Sequence, residues 1–129
     1  MHNIKRFDTK PYMTIGIIVV NIIVFVLMSI SGSTLDAQYM AAHGAMYPEY
    51  IKDGQYWRLI TSMFMHFGLM HILNNMVVLG AVGQIVEKAM GHVKLLITFL
   101  VSGMCGSVLS YIVMLYNNDF AVSAGASGA

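Results

Sequence analysis

The sequence predicts an all-α protein: a polytopic transmembrane helical bundle with three complete spans, the start of a fourth, and a long interfacial loop after the first span. Three observations carry this. The 129 residues are 57% hydrophobic and 10% charged, where a soluble domain carries about 25% charged residues. No charged residue lies between Lys10 and Asp36, between Arg58 and Glu87, or between Lys94 and Asp119, and each gap is long enough for the ~20 apolar residues that cross a bilayer. The basic residues are placed unevenly: Lys5, Arg6, Lys10, Lys88 and Lys94, five of the seven Lys and Arg, fall on one side of such a bundle.

That asymmetry sets orientation, because Lys and Arg collect in cytoplasmic segments. Residues 1–12 are then a cytoplasmic tail and residues 13–30 the first span. The competing reading, a cleaved signal peptide, fits poorly: the apolar stretch exceeds the usual ~7–15 residues and the Ser31-Gly32-Ser33 that follows is a weak cleavage site. Residues 31–68 form the first outer loop. Tyr56, Trp57, Phe64 and Phe67 sit in it among Met, Leu and Ile, a composition that suits short helices at the membrane surface, with Gly54 and Gly68 as breakers. Residues 69–87 are the second span and residues 94–115 the third, joined by a tight turn flanked by Lys88 and Lys94. The pairs Gly103/Ser107 and Gly106/Ser110 in the third span, and Gly80, Ala81 and Gly83 in the second, predict close packing between helices. Residues 125–129, GASGA, read as the start of a fourth span running inward.

The same composition excludes several functions. A net charge of +1 argues against a nucleic-acid partner. The single cysteine, Cys105, forms no intrachain disulfide and reads as a small buried packing residue. His66 and His71 are five apart, on different faces of a helix, with no carboxylate nearby, which argues against a metal site.

Polar groups at membrane depth are costly and tend to mark function. His71 and Asn75 are four apart, so they project ~40° apart on one helical face, about 6 Å along the axis. By the topology above, they lie in the outer third of the second span, and Ser127 lies at the outer start of the fourth. The alternative is that they only hydrogen-bond a neighbouring helix. Their shared layer shifts the balance from packing toward a site, and the chemistry it could support is acyl transfer. Ser127 supplies a nucleophile, the free N–H groups of a helix start suit an oxyanion, and Gly125 and Gly128 let a carbonyl approach without an intervening Cβ.

Taken together, Trp57-Arg58 in the first outer loop, His71 and Asn75 as H-x-x-x-N, Glu87-Lys88 after the second span, and Gly125 to Gly128 as G-x-S-G resemble the rhomboid intramembrane serine proteases. The resemblance runs from about His43 to Ala129. It implies a six-helix core that cleaves membrane-embedded protein substrates with a Ser–His dyad and no cofactor. It implies Ser127 as the nucleophile and His71, Asn75 and the Ser127 amide as the oxyanion site. Trp57 and Arg58 match a structural motif of the loop, His66 a structural histidine, and Glu87 a carboxylate that ties helices near the cytoplasmic side. The implied setting is a multi-pass protein of a bacterial cell membrane, whose partners are transmembrane substrates and the bilayer. The family's general base lies on its sixth helix, and none of His2, His43, His66, His71 or His92 is placed to serve. The 129 residues therefore read as the front portion of a longer enzyme, inactive alone. Two alternatives stand beside this reading: a non-catalytic relative that binds or escorts transmembrane helices, and a helical fragment whose polar residues only join helices.

Overall fold

Lipid offers no hydrogen-bond partners, so a chain crossing it must satisfy its backbone internally, and helices result. The computed structural model describes residues 10–125. Three long helices, α1 (Tyr12–Ser31), α5 (Gly68–Met90) and α6 (His92–Asn117), are each long and apolar enough to span a membrane. Between α1 and α5, the outer loop folds into α2 (Ala37–Ala42), α3 (Pro48–Lys52), α4 (Arg58–Thr61) and a 3-10 turn, Ser62–Phe64. The second and third spans are longer than expected because charge does not end them. Glu87 and Lys88 remain helical, and α5 stops at Gly91, whose φ of 90° favours a residue without Cβ. The helix α6 ends at Asn118 in the left-handed region, a conformation Asn tolerates. Ser127 and Gly128, and with them the expected start of a fourth span, lie outside the described residues.

The helix α1 packs on α5, and α6 lies against both. Gly83 permits the α1–α5 approach: a Cβ there would lie 2.9 Å from Thr14 Cγ2. The N-terminus of α1 has no capping side chain of its own. Glu87, fully buried, supplies the acceptors from α5. It takes hydrogen bonds from Met13 N–H at 2.8 Å, Thr14 N–H at 2.8 Å and the Thr14 hydroxyl at 2.7 Å. His92 Nδ1 sits 2.5 Å from Oε2, the oxygen that also accepts from Met13. A carboxylate suits this position because it accepts several bonds and carries the charge a helix N-terminus favours.

The third span differs from expectation in what its small residues receive. Cys105, expected buried, is exposed on α6, and Gly103 faces the loop between α1 and α5. Met63 of the 3-10 turn fills the space so completely that a Cβ on Gly103 would lie 2.0 Å from Met63 Cε. Met63 joins Ile17 and Phe99 in a core cluster, flanked by Phe64, Met76 and Leu100. The loop is thus plugged into the bundle between α1 and α6. A second cluster, Met40, Ala45 and Met65, lies within the loop itself and packs against Val24 and Met28 of α1.

Candidate active site

The site is built where α5 begins. Gly68 takes a φ of 78°, turning the chain out of the loop into the helix. One turn in, His71 Nδ1 accepts a hydrogen bond from the Phe67 backbone N–H at 3.0 Å. That bond satisfies one of the orphan donors at the helix start. It also fixes the ring: a nitrogen that accepts carries no proton, so Nε2 is the N–H donor. Asn75, one turn further along α5, presents a buried Nδ2 without a hydrogen-bond partner.

Both donors face Gly125. A Cβ built on Gly125 would lie 2.7 Å from His71 Cε1, 2.9 Å from Nε2 and 3.4 Å from Asn75 Nδ2. Gly125 has a φ of 118°, so any larger residue there meets both strain and collision. Its N–H donates to the Ser62 carbonyl at 2.8 Å. A cavity of about 250 Å³ opens beside it, lined by Ser62, Ser123, Ala124 and Gly125 on one side and by Gly106, Ser107 and Ser110 of α6 on the other. The Gly106/Ser110 pair therefore borders a polar cavity, where spacing predicts helix packing. Ser127 and Gly128 lie outside the described residues, so the structure brings together His71, Asn75 and Gly125.

His66 is 1% exposed, and its ring stands edge-on to His71 with centroids 5.1 Å apart. As the sequence places it, His66 precedes α5, and the loop turns its ring back against His71. Burial, with the charge of His71 adding and a backbone hydrogen bond to Phe64 opposing, lowers its pKa to about 4. Among the described residues, no group of three or more His, Cys, Asp or Glu could hold a metal.

Arg58 is buried in the loop and organises it. Its guanidinium donates to the carbonyls of Ala41 and Ala45, the latter at 2.9 Å, while Nε donates to Gln55 Oε1 at 2.7 Å. It stacks between Tyr50, 4.4 Å away, and Trp57, 4.6 Å away. Burial lowers its pKa, with Tyr50 opposing. Trp57 itself is about half exposed. Sequence reasoning missed Ser62, Phe67 and Ser123. They act through backbone groups or line the cavity, and no local pattern marks such roles.

The rhomboid domain family matches residues 53–129. The chain is 35% identical over 120 residues to Rhomboid protease GluP of Bacillus subtilis, covering 93% of this chain and 23% of the relative. It is 39% identical over 103 residues to RHOMBOID-like protein 7 of Arabidopsis thaliana, covering 80% and 30%. It is 37% identical over 92 residues to Rhomboid protease GlpG of Pectobacterium atrosepticum, covering 71% and 32%. The chain thus spans between 23% and 32% of the length of these relatives. With three membrane-spanning helices and a family match over more than half its residues, this integral membrane protein belongs to the rhomboid family.

Proposed function

We propose that the protein is a serine-type endopeptidase that cleaves within or beside transmembrane helices of membrane-protein substrates. The observation that carries this reading is Gly125 seated against His71 Nε2–H and the buried, unpartnered amide of Asn75. A buried donor left without an acceptor is costly. An arriving oxyanion relieves that cost, and it does so at the moment charge develops. Ser127, two residues on, attacks the substrate carbonyl. Its own N–H, His71 and Asn75 hold the tetrahedral oxygen, and the proton leaves to a general base.

None of the described histidines supplies that base. His43 Nδ1 bonds the Tyr39 carbonyl in the outer loop, His92 sits on Glu87 at the other end of α5, His71 is an oxyanion donor and His66 packs behind it. The family resemblance puts the base on a later helix, so residues 1–129 alone are expected to show no turnover. We further place the N-terminus in the cytoplasm of a bacterial cell, with the site opening toward the outer face.

The test uses a full-length form. A serine-directed fluorophosphonate should label wild type and not Ser127→Ala. His71→Ala and Asn75→Ala should each slow substrate turnover by about 10²-fold without loss of folded protein. Equal labelling of wild type and Ser127→Ala removes the nucleophile assignment and favours a binding or escort protein.

A further inference from the structure

Residues 119–125, which follow α6, form no helix and are tied down at nearly every position. The Asp119 N–H bonds the Met114 carbonyl at 3.2 Å. The Phe120 ring lies 5.0 Å from the Lys52 ammonium of α3. Ser123 and Met46 exchange both backbone hydrogen bonds, at 2.8 and 2.9 Å, as one antiparallel bridge. Gly125 N–H bonds Ser62. Val122 and Ala124 pack on the Met40, Ala45 and Met65 cluster of the loop, and Ser123, Ala124 and Gly125 border the cavity. Its partner is held in turn, because Arg58 grips the carbonyl of Ala45, the residue before Met46.

We propose that the first outer loop is a template that sets the depth and register of residues 119–125, making Lys52, Phe120 and Val122 positioning residues for Ser127. This rests on the reading of Ser127 as the nucleophile. An isolated extended segment of this length would sample many conformations. A nucleophile misplaced by about 1 Å loses roughly 10²-fold in rate. Backbone pairing fixes register along this strap, residues 119–125, and the Val122 and Ala124 contacts hold it against the loop.

Two measurements test it. In the full-length protein, the first-order rate of fluorophosphonate labelling at Ser127, per folded molecule, is compared among variants. Val122→Asn, which puts an amide against the apolar cluster, should slow labelling by about 10²-fold, and Val122→Ile should restore it. Lys52→Ala, at an exposed position, should slow labelling about 2–5-fold, and Lys52→Arg should restore it. In the 129-residue chain in detergent micelles, the Ser123 and Gly125 amides should exchange hydrogen faster in Lys52→Ala and Val122→Asn than in wild type. Unchanged labelling overturns the positioning role even if exchange accelerates, and slower labelling with unchanged exchange overturns the template. Should Val122→Asn fail to fold, Lys52→Ala decides alone. If wild type and Ser127→Ala label alike, the nucleophile reading has failed, and the exchange rates alone decide whether the loop orders the strap.

Discussion

At the scale of single residues, the start of α5 gathers two hydrogen-bond donors at one point. His71 and Asn75 were legible as a pair because four-residue spacing puts both on one face of a helix. The orientation of the imidazole was not legible, because it depends on a hydrogen bond from the Phe67 amide, which no spacing rule reports. Gly125 is an exacting position. Its backbone needs a conformation that L residues rarely adopt, and its missing Cβ is the space between two donors. Gly125→Ala should therefore lower fluorophosphonate labelling of a full-length form by about 10²-fold, on the scale of a 1 Å displacement. A thermal midpoint shifted by only a few degrees alongside that loss would separate displacement at the site from global unfolding.

At the scale of elements, the three long helices could be read directly, since the bilayer dictates both their length and their internal hydrogen bonding. The breaker at Gly68 was legible too, and so was the turn between Lys88 and Lys94, though not Gly91 as the residue that closes it. What joins the elements was not. Small residues in the third span predict contact between helices, yet Gly103 receives Met63 from the loop and Gly106 borders a cavity. A small residue announces close approach without naming what approaches. Gly103→Ala should destabilise the protein by about 1–3 kcal/mol through overpacking. Met63→Ala in the same chain should recover part of that loss, because the two share one space. A double-mutant cycle on thermal or denaturant unfolding in micelles checks this, and a coupling above about 0.5 kcal/mol is expected for residues in contact.

At the scale of the whole molecule, the loop is a third layer of structure, plugged into the bundle by Met63 and holding the strap by backbone pairing. Its buried His66 links stability to pH. With its folded pKa near 4 and its ordinary value at 6.5, His66 stays neutral in the folded protein while the unfolded chain takes up a proton. The stability this neutral ring contributes is fully present above pH 6.5. It declines as pH falls toward 4, and below that it changes no further on this account. Unfolding midpoints measured from pH 7.5 to 4 should fall, and His66→Gln should flatten part of that slope.

The bonds from Met13 and Thr14 to Glu87 carry one more consequence, for biogenesis. Translation releases the first transmembrane segment long before residue 87 leaves the ribosome. Until then, its leading amides have only water and headgroups to bind, so its depth and tilt are provisional. Pairing of α1 with α5 is therefore a docking event that follows insertion, and the first helix reaches its final seat only after the second has entered the membrane.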